Sequence, residues 1–286
     1  MSLLPLRSGP AWAAARRARR WLRELPYFVR VLPTWITARR RIREWEVVTA
    51  ADAAAARRSD RVFIFGSGAS LNKLSAEEWG RIAEHDTFGF NWFVREDFVR
   101  CDFQLIRQIA DSNEHSVWEP QIREYCELIA RSAHFRETIL LIQYEWRGRA
   151  VNLALEHRWL PKRRLLPWTT SHRDELSSSF AAGLAHGTST LTDTVNAAVL
   201  LGWKEIVLVG VDLYDRRYFW APSETRSVDR MRGASASDLH TQASSGFVER
   251  VGSWRRDLEA RGVSMSVHNP KSLLASVLPV FSWPDV

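Results

Sequence analysis

The sequence is poor in cysteine. Only Cys101 and Cys126 occur in 286 residues, which makes neither a metal motif nor a disulfide framework. Buried, reduced thiols are expected, and nothing points to an oxidising compartment. There is no run of eighteen apolar residues, so no membrane-crossing helix is expected. No secretory leader is expected either, because the apolar run from Met1 to Leu6 is short and arginines follow it. Lysine is missing from residues 1–59, yet thirteen arginines stand there against Glu24, Glu44, Glu46 and Asp52. That segment carries +9 and residues 60–286 carry −2, for +7 overall. The basicity belongs to the N-terminal segment. A nucleic-acid-binding body would need a basic stripe of its own, so nucleic acid is not an expected partner.

The chain is organised around Arg61-Val-Phe-Ile-Phe-Gly66-Ser67-Gly68-Ala-Ser70-Leu71. Val62 to Phe65 read as a buried strand, which stops at a glycine turn. The next segment opens with a capping-box pattern, Ser75 followed by Glu78. Strand, glycine turn and helix present backbone N–H groups to a phosphate or nucleotide in an open α/β sheet. The glycines are expected to let the ligand approach the backbone. A dinucleotide fingerprint would need a third glycine where Ala69-Ser70-Leu71 stands, and a Walker loop would need Gly-Lys-Ser/Thr. Neither is present, so the turn alone does not name a ligand.

Before that strand, residues 10–47 interleave Trp12, Trp21, Trp35 and Trp45 with arginines. Pro26 and Pro33 are expected to break the segment into two or three short helices. A basic helix with tryptophans suits an anionic membrane surface, which makes a peripheral membrane surface a candidate partner. The alternative is an arm packed on its own domain. After the turn, strands are expected in the stretches Asp86 to Val94, Cys101 to Arg107, Thr138 to Gln143, Glu205 to Val211 and Val263 to His268. Helices are expected over 112–136, Leu191 to Leu201 capped by Gly202, and Phe247 to Leu258. Residues 144–180 read as loop and short helix. Residues 219–239 have the composition of a lid or a disordered insert. Asn91 ends the second strand and Asp212 follows a later one, at the edge where Ser67 stands. Gly187-Thr188-Ser189-Thr190 offers hydroxyls and free N–H groups at a helix N-terminus. Polar groups from distant parts of the chain on one edge of a parallel sheet form a nucleotide site.

Together these motifs resemble bacterial sialyltransferases of glycosyltransferase family 42. The resemblance rests on Gly66-Ser-Gly-Ala-Ser-Leu71, Asn91-Trp-Phe, Thr188-Ser189, Gly202-Trp-Lys-Glu-Ile-Val-Leu-Val-Gly-Val-Asp212-Leu-Tyr214, His240 and Asn269-Pro-Lys-Ser-Leu-Leu-Ala. It covers about residues 61–280, and residues 187–275 are its most specific part. The same opening occurs in the wider DUF115 Rossmann-like group, which includes diphosphokinase-like enzymes. The resemblance implies an α/β, single Rossmann-like (GT-A-like) domain at 60–286, with a mostly parallel sheet and a lid at about 213–240. A basic helical arm at 1–59 precedes it. It implies a CMP-activated sugar donor used as substrate, no cofactor or metal, and inversion at the anomeric carbon. By position, Gly66, Ser67, Gly68, Ser70 and Asn91 would line the CMP site, with Thr188 and Ser189 by the donor and Asp212 at the same edge. Tyr214 and Tyr218 would hydrogen-bond the leaving phosphate, and His240 would be the general base. The chain departs from the family at Ser67, Ala69 and Thr190, and it has His186-Gly187 where an arginine is expected. Gln104 or Arg107 stands nearest the position that holds the sugar carboxylate, and Arg107 could grip one bidentately.

The expected enzyme is therefore a sialyltransferase-like glycosyltransferase on the inner face of the cytoplasmic membrane. Its acceptor would be a glycan or lipid-linked molecule, and a homo-oligomer is compatible with the sequence. Two other readings remain open. One is a diphosphokinase-like enzyme using ATP and magnesium on Asp212 and Asp215. The other is a non-catalytic nucleotide-fold binding module.

Overall fold

The computed structural model describes residues 10–107, 115–171, 173, 175–187, 189–214, 217–225 and 246–283. In chain order the helices and first strands are α1 (Pro10–Arg41), α2 (Ala50–Ala55), β1 (Arg61–Phe65), α3 (Ala76–Ala83), β2 (Asp86–Phe90), β3 (Phe103–Ile106) and α4 (His115–Arg131). Next come β4 (Ile139–Gln143), α5 (Arg149–Glu156), β5 (Leu165–Trp168), β6 (Thr170–Ser171), β7 (Leu184–Ala185), α6 (Thr190–Leu201) and β8 (Glu205–Val209). A hairpin of β9 (Arg217–Tyr218) and β10 (Ala221–Thr225) precedes α7 (Phe247–Glu259) and β11 (Ser264–Val267).

Seven strands form one sheet in the order β11-β8-β1-β2-β3-β4-β5, with every neighbouring pair parallel. A parallel sheet must be covered on both faces, and the side chains of β1 show how. Val62 and Ile64 enter the core under α2, α6 and α7, with Ala53, Val195 and Trp254. Phe63 and Phe65 point to the other face, into the core with Ala38 of α1, Ile82 of α3, Ile122 of α4 and Ala154 of α5. Strand β1 is therefore apolar throughout rather than alternating. This is a doubly wound, Rossmann-like α/β domain.

Besides the β9–β10 hairpin, whose second strand lies in the stretch 219–239 read as a lid or disordered insert, two elements differ from expectation. Residues 10–41 form one helix of 32 residues despite Pro26 and Pro33. A proline removes the N–H that would bond the carbonyl four residues earlier. For Pro33 that carbonyl belongs to Val29, which is 60% exposed, so water can take it. The inner side of the helix, through Val31 and Ala38, is buried and supports it. The second difference is β5, in the stretch expected to be loop and short helix. Leu165 directs its N–H to Glu46 O and receives the N–H of Val48 on its own carbonyl, both away from β4. Pro167, two residues on, faces the same outer edge, so its missing N–H breaks no bond with β4.

The amino-terminal edge is closed by buried carboxylates. Asp86, fully buried, accepts the N–H groups of Arg58 and Ser59 at 3.0 and 3.1 Å and the indole N–H of Trp203 at 2.8 Å. Asp102 accepts Thr87 N–H and Oγ1–H at 3.1 and 3.0 Å and Arg58 Nη2 at 2.7 Å. Asp86→Ala would strand three buried donors, each costing roughly 1–3 kcal/mol. The expected outcome is a loss of about 3–5 kcal/mol in urea unfolding. A loss below about 1 kcal/mol would mean that Asp86 does not clamp this edge.

Candidate active site

Strands β1 and β8 are neighbours, but the chain leaves them in opposite directions across the sheet. Ligands of open α/β sheets bind in the crevice at the carboxyl ends of such a pair. Here the two strand-ending loops lock together. Gly66 N–H donates to Val209 O at 2.7 Å and Gly68 N–H to Gly210 O at 2.8 Å. A Cβ on Gly66 would collide with Gly210 O, and one on Gly68 with Asp212 Oδ2. The glycines thus serve contact between loops, where the sequence suggested approach of a ligand. Asp212, 3% exposed, is the clamp. Its Oδ2 accepts Ser70 N–H at 3.0 Å and its Oδ1 accepts Asn269 Nδ2 at 2.8 Å.

Asn269 Nδ2 also lies 3.3 Å from the Tyr214 hydroxyl. Tyr218 bridges to Gly68, and the next residue, Phe219, donates its N–H to Ser67 O at 3.2 Å. The Tyr218 ring stacks on Trp220 at 4.2 Å. Gly66, Ser67, Gly68, Ser70, Asp212, Tyr214 and Tyr218 are therefore gathered at one corner. Asn91 follows β2, next along the edge, with φ +50°, and Leu213 beside Asp212 has φ +61°. Such backbone strain, roughly 1–3 kcal/mol each, clusters at functional sites. Asn91 Oδ1 and Ser70 Oγ are buried there without a hydrogen-bond partner among the described residues. Gln104 faces the interior, where its Nε2 bonds Asn91 O and the Tyr125 hydroxyl at 3.1 and 2.9 Å.

Arg107, one residue past β3, was expected to face a substrate carboxylate. Its Nη1 instead donates to Asp193 Oδ2 at 2.9 Å. Asp193, fully buried in the first turn of α6, also meets His186 Nδ1 at 2.8 Å. Burial pushes the Asp193 carboxyl well above the usual carboxylate range, against the pull of Arg107. Burial likewise lowers the pKa of Arg107. Asp193 escaped the sequence reading, though it is the only charged residue within α6. Ser189 caps α6, its hydroxyl accepting Leu191 N–H at 3.2 Å. Thr188 and His240 lie outside the described residues, as does the lid from residue 226 to 240. An open cleft of about 400 Å³ lies at the opposite edge, between Trp45, Thr138 and Arg164, and shares none of these residues. Among the described residues no cluster of His, Cys, Asp or Glu could hold a metal ion.

Asp212→Ala would free the Ser70 and Asn269 donors. It is expected to cost about 2–4 kcal/mol and to raise proteolysis of the 66–72 and 210–219 loops together. Cleavage in only one of the two loops would refute the interlock.

No family model matches the chain, and no curated protein matches it. Among solved structures, the chain is similar to a tyrosine-to-phenylalanine variant of the sialyltransferase Cst-II in complex with CMP. The identity is 15% over 77% of this chain and 85% of that one, with a TM-score of 0.48. It is also similar to the monofunctional α-2,3-sialyltransferase Cst-I from Campylobacter jejuni. There the identity is 16% over 77% of this chain and 80% of that one, with a TM-score of 0.44.

Proposed function

We propose that the protein is an inverting, metal-independent glycosyltransferase. It moves sialic acid or a related sugar from a CMP-activated donor to a hydroxyl of a glycan or lipid-linked acceptor. The observation that carries this reading is the pair of unpartnered buried oxygens, Ser70 Oγ after β1 and Asn91 Oδ1 after β2, at the carboxyl ends of two neighbouring strands. Buried polar atoms in folded proteins have partners, and a nucleotide supplies them. The amide oxygen suits the exocyclic amine of cytosine, and the hydroxyl suits ribose or phosphate. Ser189 at the α6 N-terminus stands ready for the phosphate. Tyr214 and Tyr218 are the phenols available to a departing CMP, each such donor being worth roughly 3 kcal/mol. The ATP–magnesium alternative is less well supported, because both Asp212 oxygens already accept protein donors.

The reading extends to the arm at 1–59. On α1, Leu25, Val29 and Ile36 are exposed and share one helix face, opposite buried Val31, Ala38 and Ile42. No helix among the described residues is long and apolar enough to cross a membrane. An exposed apolar seam among arginines suits the surface of an anionic bilayer. The enzyme would then work as a peripheral protein on the inner face of the cytoplasmic membrane.

Two measurements test this on the full chain. In a thermal-shift screen CMP without metal should stabilise the protein, by about 2.7 kcal/mol at one hundred times its Kd, and Asn91→Ala should weaken the effect. Stabilisation only by ATP with magnesium would overturn the transferase reading. In flotation with phosphatidylserine-containing vesicles the protein should rise with the lipid, and less so at high salt. The L25S/V29S/I36S variant should stay below, and unchanged flotation of that variant would remove the seam from the membrane reading.

A further inference from the structure

The described histidine best placed for chemistry is His186. It follows β7 and precedes the α6 N-cap, in a loop pinned at several points. Ala185 N–H donates to Asn196 Oδ1 at 2.8 Å, and Gly187 N–H donates to Thr192 Oγ1 at 3.0 Å. The ring is about a quarter exposed, whereas the carboxyl it touches is fully buried. Asp193 Oδ2 receives both Arg107 Nη1 and His186 Nδ1. A guanidinium can only donate, so Oδ2 accepts from Arg107, and an ionised Asp193 would accept from a proton on Nδ1 as well. In that arrangement Nε2 keeps its lone pair. No described residue partners Nε2.

Several positive groups stand near the ring. Arg107 shares the carboxylate that His186 touches. Arg250 of α7 lies against the neighbouring backbone, with its Cδ 2.8 Å from where a Gly187 Cβ would be. The α6 N-terminus adds a further positive field. The opposing charge is Glu145, after β4, whose Oε1 is held by Gln143 and Thr170. A base must be oriented and reachable; the contact with Asp193 orients the ring, which is about a quarter exposed.

We propose that His186 is the general base of the transfer reaction, with Asp193 as its positioning residue. This rests on the transferase reading above. The acceptor hydroxyl oxygen attacks the anomeric carbon and the bond from that carbon to the phosphate oxygen breaks. The bonding pair leaves with CMP, and the hydroxyl proton passes to His186 Nε2 and then to water. His240, which the family resemblance would put in this role, lies outside the described residues.

The test uses the full chain with CMP-sialic acid, water serving as acceptor, and follows CMP release against pH. The wild type should show an acid limb set by one group. His186→Ala should lower turnover by roughly 10²–10⁴, erase that limb and leave the CMP thermal shift intact. Asp193→Asn keeps an acceptor oxygen but not the charge, and should move the limb to lower pH. ¹⁵N-histidine spectra of the wild type, which need no variant to fold, should show the Nδ1–H tautomer for His186. An Nε2–H tautomer overturns the proposal. So does a limb that survives His186→Ala but is lost in His240→Ala. Loss of the CMP shift in His186→Ala would make it a donor-binding residue and also overturn it. If CMP fails to bind the wild type, the transferase reading itself falls and this proposal falls with it, an outcome distinct from the others.

Discussion

The site depends on a contact with no room for a side chain. Gly66 and Gly68 of one loop lie against Gly210 and Asp212 of another, backbone on backbone. Gly210 has φ +66°, and a Cβ there would stand 2.6 Å from Leu71. Two strands that diverge at a switch point would ordinarily release their loops outward. Here the carboxylate of Asp212 draws Ser70 and Asn269 toward one centre, and the β9 strand adds its edge at Gly68. The crevice is therefore a fixed shape, which lowers the ordering cost of whatever binds there.

The two edges of the sheet are built on opposite principles. At the amino edge, Asp86 and Asp102 are surrounded by donors, and Arg58 reaches both. That arrangement stabilises the edge. At the carboxyl edge the backbone is strained at Asn91 and Leu213, and Asn91 Oδ1, Ser70 Oγ and Asp193 Oδ1 are buried unpartnered. A fold keeps such costs where function needs them. The open cleft of about 400 Å³ lies at the amino edge, away from the proposed site.

Much of this was legible in the residues. Strands β1, β2, β4 and β8 are apolar runs flanked by turn residues, and the capping box at Ser75 and the glycine cap at Gly202 appear as expected. Strand β5 was hidden because Leu165-Leu-Pro-Trp168 is short and carries a proline. Only its edge position, with the outer side facing residues 46–48, makes that proline tolerable. The continuity of α1 was hidden because its stability comes from the covered Val31 and Ala38 face. Arg107 stood out in the sequence as a charge beside a strand end, but its partner did not. A sequence shows that a charge is present, not which buried oxygen it meets 86 positions away. One signal could have found the pair, namely a lone acid in an otherwise uncharged helix, seven residues after a histidine.

The arm and the site are connected through one tryptophan. Trp146 follows Glu145 at the carboxyl end of β4, and the rings of Tyr27 and Phe28 on α1 meet it at 5.9 and 5.4 Å. At its other end, α1 leads to Trp45, whose indole N–H donates to Pro161 O near the amino edge. The helix thus runs alongside the sheet, and residues 25–29 of its exposed seam lie at the edge that carries the proposed site. A bilayer bound along that seam would lie beside the carboxyl edge. A lipid-linked acceptor would then need only lateral diffusion to reach His186, while an anionic nucleotide would arrive from solvent toward Arg107, Arg250 and the α6 N-terminus. The charge is divided in the same way: the arm carries +9 and the body −2. The positive field of the site is local, set by a few buried or loop-held groups.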